Sequence, residues 1–514
     1  MLKYWLYGRL KYYRTIELSN MKENEKINPS VNSSRRDFIK NSAMAAAGFM
    51  IVPRHVLGGK GFLAPSDRLT VASVGVGGKG ESDIANFFKS GKADIAYLCD
   101  VDDKRASTTV KNFPKAKYYK DWRQMFEKES KNFDAVSVST PDHNHAAPAL
   151  AAMQLGKHVY VQKPLTHDIH EARVLTNAAK KYKVVTQMGN QGASGDGVRQ
   201  LVEWYDAGII GDVSKVYIWT NRPVWPQGIP WPGTKAEVPP TLDWNLWLGS
   251  APYKDYVEKL VPFNWRGWWD YGTGALGDMG CHLVEPAFRV LNLQYISDVQ
   301  ASIGTVYVDQ FQQGYFPEGF PPSSHVTITF PKTNKTKGPV LVHWMDGGIQ
   351  PERPEELGPT ELFGDGGNGC LFIGSKGKMM CGTYGADPRL LPLSKNQEVK
   401  VKQKLARVPG GAEGHYAQWV NGCIAGYGKM EMSSPFETAG PLTEALLMAN
   451  LAIKGNTFRK PRSTSGVGNA YVYPGKNIKL LWDNEKMMVT NFEDVNQFVK
   501  RKYRDGFNNP ELSA

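Results

Sequence analysis

The sequence predicts two α/β domains, the first of which is a doubly wound parallel sheet. With 514 residues, the chain exceeds the usual size of a single domain. Between residues 67 and 190, short β-branched apolar runs alternate with helical patterns, which predicts parallel strands with right-handed crossovers. From residue 214 onward, the runs 214–219, 297–308, 325–330, 339–344 and 370–373 are strand-like. We therefore expect a second α/β domain with an open, predominantly antiparallel sheet.

The composition is that of an ordinary globular protein, with 41% hydrophobic and 22% charged residues. The net charge is +12, but residues 1–60 hold 11 Lys or Arg and 4 Asp or Glu, a surplus of 7 that leaves +5 for the remaining chain. No basic cluster is interleaved with aromatic residues, so we expect no nucleic-acid partner. No apolar run reaches the length of a membrane span. The five cysteines lack CxxC spacing, so we expect neither a disulfide framework nor a metal site.

The N-terminal segment carries a pattern typical of an export signal. Arg35 and Arg36 precede the short apolar stretch 43–52, which resembles a twin-arginine signal. A chance arginine pair before a short helix is the alternative. The signal predicts a periplasmic protein, tethered to the membrane if the signal is not removed. No stable membrane span is expected in the mature form.

A glycine-rich turn follows the first predicted strand. Residues 69–74 form an apolar run, the segment 75–80 (GVGGKG) fits GxGxxG, and a helical pattern follows. This order is that of a Rossmann fold, in which the turn and the helix N-terminus bind the pyrophosphate of a dinucleotide. The glycines expected to contact the cofactor are Gly75, Gly77, Gly78 and Gly80.

Asp100 is expected to select the cofactor. It closes the second predicted strand, 25 positions after Gly75 (100 − 75). A carboxylate at this position accepts hydrogen bonds from ribose hydroxyls and repels a 2′-phosphate, so the predicted cofactor is NAD. Lys104 and Arg105 lie close enough in sequence to leave NADP as the alternative.

Three more residues are expected at the cofactor because they end predicted strands. Thr140 and Pro141 follow the run 134–139, and Lys163 follows the run 158–161. Ligands of such sheets bind beyond the carboxyl ends of the strands. His145 is a further candidate for the nicotinamide ribose, with a helix-start role as its alternative.

Taken together, the motifs resemble the Gfo/Idh/MocA family, which includes glucose–fructose oxidoreductase and inositol dehydrogenase. The resemblance covers about residues 67–470 and rests on the segments 75–80, 139–145 (STPDHNH), 162–164 (QKP) and 278–282 (DMGCH). Family members usually carry Glu-Lys-Pro where this chain has Gln162. The resemblance implies an NAD(P)-dependent oxidoreductase acting on CH–OH groups of carbohydrates. A homo-oligomer is the expected assembly.

The resemblance also implies that Lys163, Asp278 and His282 line the substrate site, and the residue chemistry agrees. Asp278 and His282 are spaced i and i+4, so they share one face of a helix, and Glu285 is a candidate to join them. Oxidation of an alcohol needs a base, for which His282 is suited, and a cation beside the developing alkoxide, for which Lys163 is suited. Asp278 is expected to orient the imidazole or to bind a neighbouring hydroxyl.

Tryptophans crowd the region 220–275, which we interpret as an insertion that reaches the site. Aromatic faces stack on sugar rings, but tryptophans also fill irregular cores, and both interpretations stay open. The substrate contacts expected here and at the end of the first domain are Asn190, Trp265, Arg266 and Trp268.

The predicted organisation has four parts. Residues 1–66 form an arm with the signal, 67–190 bind the cofactor, 191–470 bind the substrate, and 471–514 form an extension that packs on both domains. An exported dehydrogenase would have to hold its cofactor tightly, because the periplasm lacks a ready pool. Two alternatives remain: a glycoside hydrolase that oxidises its substrate transiently with the same cofactor, and a non-catalytic sugar-binding protein.

Overall fold

The structure is a computed structural model that describes residues 67–462 and 470–513. The predicted twin-arginine signal and the rest of the N-terminal arm lie outside the described residues. The four segments that carry the family resemblance lie between residues 75 and 282, so all of them fall within the described part.

Six parallel strands form the sheet of the first domain, in the order β3-β2-β1-β4-β5-β6. The strands are β1 (Leu69–Val74), β2 (Ala93–Cys99), β3 (Lys117–Tyr119), β4 (Ala135–Val138), β5 (His158–Val161) and β6 (Thr186–Met188). The helices between them are α1 (Lys79–Lys89), α2 (Asp103–Asn112), α3 (Trp122–Glu129), α4 (Ala146–Gln154) and α5 (Ile169–Tyr182). The predicted doubly wound parallel sheet is confirmed.

The local patterns explain these elements. All four residues of β4 are buried, as expected for a strand covered on both faces by helices. On α1, Ile84 and Phe87 are buried, whereas Phe88 is half exposed and packs edge-on against Phe113. The α5 helix begins with a capping box in which Asp168 is the N-cap residue.

The second domain is built on a nine-stranded sheet in the order β15-β14-β13-β7-β12-β11-β8-β18-β19. Among its described neighbours β7 and β12 pair in parallel and the rest are antiparallel, which confirms the predicted mixed, mostly antiparallel sheet. Its strands are β7 (Val213–Trp219), β8 (Asp298–Ile303), β11 (Ser324–Phe330), β12 (Val340–Met345), β13 (Gly369–Gly374), β14 (Gly377–Cys381), β15 (Arg389–Leu391), β18 (Leu480–Asp483) and β19 (Met488–Val489). Two small hairpins complete the strands: β9 (Tyr307–Asp309) with β10 (Gln312–Gln313), and β16 (Lys460–Pro461) with β17 (Tyr471–Val472).

Helices cover this sheet and join it to the first domain. They are α6 (Asp196–Asp206), α7 (Trp244–Leu248), α8 (Gly274–Leu283), α9 (Glu285–Leu291), α10 (Lys395–Glu398), α11 (His415–Ala425), α12 (Phe436–Thr457) and α13 (Pro510–Ser513). The α12 helix is buried along most of its length and packs on both α5 and β8. Such a helix belongs to the cores of both domains and fixes the cleft between them.

The C-terminal segment after β19 returns to the first domain. Arg501 binds the buried Glu171 of α5, and Lys181 pairs with Glu511. Within the described part of the chain, no helix is long and apolar enough to cross a bilayer. All five cysteines fall in that part, where they are buried and free.

Candidate active site

A cleft of about 900 Å³ opens at the carboxyl ends of β1, β2, β4 and β5. It extends from the glycine-rich loop at one end, which we call the adenosine end, to His282 on α8 at the other, which we call the catalytic end. The predicted site residues that line it are Gly75, Gly77, Gly78, Asp100, Thr140, Pro141, Lys163, Trp265, Arg266, Asp278 and His282.

The glycine-rich loop fits the pyrophosphate of a dinucleotide. Gly75 has φ +78°, and a Cβ there would lie 2.7 Å from the backbone of Ser139. A Cβ on Gly77 would lie 2.8 Å from the carbonyl oxygen of Arg105. The α1 helix starts directly after Gly78, so its first backbone N–H groups face the loop. Gly75, Gly77 and Gly78 can therefore contact a cofactor in the cleft, whereas Gly80 is buried against the Gly75 carbonyl oxygen and does not line the cleft.

Asp100 stabilises this loop through hydrogen bonds to its backbone. Its Oδ2 accepts the backbone N–H groups of Val76 at 2.8 Å and Gly77 at 3.1 Å, and its Oδ1 accepts that of Asp102 at 3.0 Å. Burial raises the pKa of Asp100, and these three hydrogen bonds oppose the shift. Because each carboxylate oxygen can accept two bonds, Oδ1 still has room for a ribose hydroxyl. The sequence indicated that Asp100 binds the cofactor, but it did not indicate that the same carboxylate also holds the loop in place.

At the catalytic end, Lys163 and Asp278 form an ion pair. The Lys163 Nζ donates to Asp278 Oδ1 at 2.8 Å and to the Asp278 carbonyl oxygen at 3.0 Å. Arg266 Nε donates to the same Oδ1 at 3.3 Å. Burial alone would raise the pKa of Asp278, but Lys163 and Arg266 together lower it to about 2. Asp278 is therefore ionised at neutral pH, and its two contacts fix the position of the Lys163 Nζ.

Arg266 is held in place by aromatic rings. Its guanidinium lies 4.3 Å from the ring centre of Trp265 and 4.7 Å from that of Phe263. Trp225 and Trp247 line the same cleft. Part of the tryptophan-rich insertion therefore reaches the cleft, as the sequence indicated, while the other part packs its own core.

His282 lies beside the ion pair without bonding to it. Both residues stand on α8, yet no hydrogen bond joins Asp278 to His282 among the described residues, because the Asp278 carboxylate faces Lys163 and Arg266. Within the same part of the chain, His282 Nδ1 is buried and has no hydrogen-bond partner. Burial and the nearby Lys163 hold the pKa of His282 well below its usual range. The imidazole is therefore neutral at pH 7.

Tyr384 is a cleft residue that sequence reasoning missed. Its ring meets the His282 ring edge-on, with centres 4.5 Å apart. It has φ +66°, a left-handed conformation that is uncommon for tyrosine and typical of functional sites. The residue belongs to the turn after β14, more than 100 positions from α8 (384 − 283 = 101), and no local pattern marks it.

The structure explains why Gln162 replaces the usual glutamate. Asp83 on α1 is fully buried, and its Oδ2 accepts hydrogen bonds from Gln162 Nε2 at 2.8 Å and from Ser139 Oγ at 2.9 Å. Its Oδ1 accepts the Lys79 ammonium at 2.7 Å. A carboxylate therefore lies beside position 162 already, and an amide donor is the group that suits it.

His145 and Asn190 do not line the cleft. Of the two roles expected for His145, the helix-start role matches its position directly before α4, and its Nδ1 and Nε2 lie 2.8 Å from the carbonyl oxygens of Pro164 and Thr140, respectively. The ring is thus occupied by the loops after β4 and β5. Asn190 is buried, and its amide has no partner in the described part of the chain, but only its neighbours Gly189 and Gln191 line the cleft.

Two residues predicted to contact the substrate lie outside the lining of the cleft. Trp268 follows a short 3-10 turn in extended backbone and packs edge-on against Trp231 in the insertion core. Glu285 begins the separate helix α9, and its carboxylate pairs with Arg289 instead of joining Asp278. Neither residue lines the cleft.

The adenosine end is covered by elements that the sequence did not indicate. Arg504 of the C-terminal segment donates to the Asn245 side chain at 2.7 Å and to the Gly249 carbonyl at 3.1 Å, and Arg123 of α3 donates to the Gly506 carbonyl at 2.8 Å. Phe507 lies between the two guanidinium groups, at 4.4 Å from Arg123 and 4.5 Å from Arg504. This cover consists of the insertion and the C-terminal segment.

Comparisons with known proteins agree with this geometry. Residues 69–190 match a family model described as an oxidoreductase family with an NAD-binding Rossmann fold, and residues 198–315 match the model of its C-terminal alpha/beta domain. A "Glycosyl hydrolase family 109 protein" of Shewanella pealeana is 27% identical over 29% of this chain and 37% of its own length. A "Levoglucosan dehydrogenase" of Pseudarthrobacter phenanthrenivorans is 23% identical over 37% of this chain and 40% of its own length.

These matches span well under half the length of either relative. Among solved structures, a levoglucosan dehydrogenase in complex with NADH and L-sorbose superposes with a TM-score of 0.50 at 14% identity, covering 75% of this chain and 97% of that one. At this identity the likeness shows the fold alone.

Proposed function

We propose that the protein transfers a hydride between NAD and a secondary hydroxyl group of a sugar, polyol or glycoside, because residues 69–190 and 198–315 match the two domain models of the Gfo/Idh/MocA oxidoreductase family. One observation carries the proposal. Lys163 lies 115 positions before Asp278 in sequence, yet it meets Asp278 and His282 of α8 in the same cleft as the glycine-rich loop. A cofactor that spans the cleft would bring its reactive ring to these side chains.

The residues divide the chemistry among them. Bound NAD supplies the hydride acceptor. Lys163 spends two of its three N–H donors on Asp278, which leaves one for the substrate oxygen. Its positive charge stabilises the developing alkoxide, in a site where burial weakens solvent screening. His282 is neutral and accepts the hydroxyl proton, and its enclosed Nδ1 leaves Nε2 as the accepting nitrogen.

A carbohydrate substrate is supported by the walls of the catalytic end. Trp225 and Trp265 offer aromatic faces for the apolar face of a sugar ring. Arg266, held between Trp265 and Phe263, presents a donor for ring hydroxyls. The name of the levoglucosan dehydrogenase relative points to the same substrate class.

Tight cofactor binding follows from the cover at the adenosine end. Arg123 and Arg504 join the C-terminal segment to α3 and to the insertion, so release of the cofactor requires these contacts to open. We expect the purified protein to carry a dinucleotide that gel filtration does not remove. Acid denaturation should release close to one equivalent of NAD or NADH, and a protein purified without any dinucleotide would contradict this.

The second candidate is an NAD-dependent glycoside hydrolase, which Tyr384 favours. Such an enzyme oxidises C3 of the glycoside, removes the acidified C2 proton, eliminates the aglycone, adds water, and returns the hydride to C3. It needs a second base besides His282, and Tyr384 provides a phenol beside it. The relative named as a family 109 glycosyl hydrolase supports this reading of the site.

One experiment separates the two functions. The protein with its own bound cofactor is exposed to a panel of sugars and glycosides while the nicotinamide absorbance and aglycone release are recorded. Stoichiometric reduction that stops after one turnover supports a dehydrogenase that awaits an acceptor. Continued aglycone release without lasting reduction supports the hydrolase. If neither signal appears with any substrate, the non-catalytic sugar-binding alternative gains support.

Export by the twin-arginine route is a separate proposal, supported by Arg35 and Arg36 before the apolar stretch 43–52. The route carries folded proteins, which suits a cofactor that is held tightly. Replacing both arginines by lysine should shift the protein from the periplasmic to the cytoplasmic fraction, and an unchanged distribution would contradict the proposal. Light scattering of the purified protein tests the homo-oligomer.

A further inference from the structure

A second cavity of about 310 Å³ lies apart from the cleft, under the C-terminal segment. The start of α5, the end of the tryptophan-rich insertion, α12 and the C-terminal segment form its walls. The walls are mainly apolar, and Trp269 stacks on Phe320 with ring centres 3.5 Å apart. The apolar lining residues are Ile169, Pro252, Trp269, Phe320, Leu447, Leu451 and Phe498.

Lys454, Arg501 and Asn450 are among the polar groups on this wall that have bonding capacity left, and the two ring nitrogens of His167 also have no partner among the described residues. The Lys454 Nζ lies 4.8 Å from the Trp269 ring centre and donates to the Pro317 carbonyl at 2.8 Å, which leaves two N–H donors. Arg501 binds Glu171 through Nε and Nη2, but within the described part of the chain its buried Nη1 has no partner. Among the described residues, the buried Asn450 Oδ1 also has no hydrogen-bond partner, although the Asn450 Nδ2 donates to the Thr273 carbonyl at 2.7 Å.

The balance of charge in the second cavity favours an anion. Asp270 is neutralised by Lys254 at 2.6 Å, and Glu171 by Arg501. Burial, followed by the nearby Glu171, raises the pKa of Asp168 to about 8, so this carboxyl is mostly protonated at neutral pH. The ammonium of Lys454 is thus a positive charge on the cavity wall that no carboxylate pairs within salt-bridge distance among the described residues. Buried polar groups in folded proteins normally have a partner, and these three groups specify one.

We propose that the second cavity binds a small α-hydroxycarboxylate with an apolar body. The carboxylate accepts from Lys454 and Arg501 Nη1, the hydroxyl donates to Asn450 Oδ1, and the body lies against Trp269 and Phe320. The volume is at the lower end of the range for ligand pockets, which limits the ligand to about one ring with its substituents. This site is independent of the oxidoreductase proposal, because none of these groups lies in the cleft.

The test is calorimetric titration of the full-length protein with mandelate, which has the carboxylate, the hydroxyl and an apolar ring. Phenylacetate lacks the hydroxyl and should bind about 3- to 10-fold more weakly. Mandelamide lacks the charge and should bind at least about 10-fold more weakly. No detectable binding of mandelate, or equal binding of mandelamide, would overturn the proposal.

Variants locate the binding. Lys454→Met keeps the apolar stem and should weaken mandelate at least about 10-fold, whereas Lys476→Met, at an exposed lysine, should not change it. Lys163→Met should also leave mandelate binding unchanged, because Lys163 lies in the cleft. Mandelate binding that depends on Lys163 and not on Lys454 would place the ligand in the cleft and overturn the proposal, whatever the outcome for the oxidoreductase function.

Proton uptake gives a second readout without mutation. Burial lowers the pKa of Lys454 to about 8, Asp270 and Glu318 oppose this shift, and Lys254 adds to it. The other ionisable side chains that line the cavity are His167, Asp168, Arg501 and Lys502. A bound carboxylate should raise the pKa of Lys454, so titration at pH 8 in buffers of different ionisation enthalpy should show uptake of up to about half a proton. Zero uptake, or release, would mean that the carboxylate does not meet this ammonium.

Discussion

The two ends of the cleft differ in how far the protein has satisfied its own polar groups. At the adenosine end, the Asp100 carboxylate accepts three backbone N–H groups and Arg504 bonds to the insertion. At the catalytic end, among the described residues, the buried His282 Nδ1 has no partner. Because an unpartnered buried group costs free energy, its position indicates where a ligand is required. The adenosine end is built in advance, and the catalytic end is completed by substrate and cofactor.

The comparison predicts that variants at the catalytic end lower turnover without loss of cofactor, and the largest effect is expected for Lys163→Met. Loss of the ammonium removes the donor to the substrate oxygen and leaves Asp278 with Arg266 alone. We expect kcat to fall by about 10²- to 10⁴-fold. Single-turnover reduction of the bound cofactor measures this, and the dinucleotide content of the purified variant shows whether the cofactor remains.

The matched control is Lys111→Met, at an exposed lysine of α2. It should leave kcat within about twofold, as expected for a surface change. If Lys163→Met lost its cofactor but kept its rate in excess NAD, Lys163 would belong functionally to the adenosine end.

His282→Gln should give the next largest effect, a fall in kcat of about 10²- to 10³-fold, because glutamine cannot accept the hydroxyl proton. His325→Gln on β11 is the control, since His325 bonds with His343 on the sheet and lies outside the cleft. Steady-state kinetics of both variants in saturating substrate provide the measurement. A rate for His282→Gln close to that of the control would remove His282 as the base.

The pH dependence sharpens the same assignment. Burial and Lys163 hold the pKa of His282 well below its usual range, so the imidazole stays neutral as pH falls through 6.5. Asp278, with a pKa of about 2, stays ionised over the same range. We therefore expect kcat for alcohol oxidation to be level from about pH 8 to about pH 5.5, where an ordinary histidine base would already have lost most activity. A midpoint near 6.5 in a pH–rate profile would contradict this.

The contrast between the two ends also explains what could be predicted from the sequence. The bounds of β1 and β5 were predicted because their patterns are local, and Gly75 and Asp100 follow from strand ends. Lys163, Asp278 and His282 were indicated by resemblance together with helix spacing. Tyr384 and Phe507 could not be found in this way, because they reach the cleft through pairings between distant parts of the chain.

The position of Glu285 away from Asp278 has a local physical cause. The i, i+3 spacing from His282 to Glu285 assumes one continuous helix, but α8 ends at Leu283 and α9 starts at Glu285. Periodicity therefore places side chains on a shared face only while the helix lasts.

At the adenosine end, Asp100→Asn should weaken the cofactor without changing the catalytic step. The amide can replace only part of the bonds to the Val76 and Gly77 N–H groups, because one of its two polar atoms is a donor. We expect the dissociation constant for NAD to rise by about 10- to 100-fold, the equivalent of one or two charged hydrogen bonds. The ratio of the dissociation constant for NADP to that for NAD should decrease as well.

Fluorescence titration of the cofactor-free protein measures the dissociation constants for NAD and NADP. Asp94→Asn on β2 is the control, because Asp94 pairs with Arg68 at the amino end of the sheet. An NAD affinity that is unchanged in Asp100→Asn would limit Asp100 to a structural role. A kcat that falls in saturating NAD would mean that the two ends are not separable.

The smallest effect is expected where the two ends are joined, at Asp83 and Gln162. Asp83 stands on the helix that begins at the glycine-rich loop, and Gln162 precedes Lys163. Gln162→Glu restores the residue usual in the family but places two carboxyl groups within hydrogen-bond distance in a buried site, where both cannot ionise. The pKa of the new carboxyl should be raised, so its contribution to stability is present below its unfolded pKa and is lost as pH rises.

We therefore expect the free energy of unfolding of Gln162→Glu, measured by denaturant titration, to be lower than that of the parent by about 1–2 kcal/mol at pH 8, and by less at pH 5. Adding Asp83→Asn exchanges the acidic and amide partners, and the double variant should recover most of that loss at pH 8. Asp83→Asn alone should destabilise as well, because it removes the buried carboxylate that pairs with the Lys79 ammonium. A double variant whose loss equals the sum of the two single losses would show that position 162 departs from the family for a reason other than Asp83.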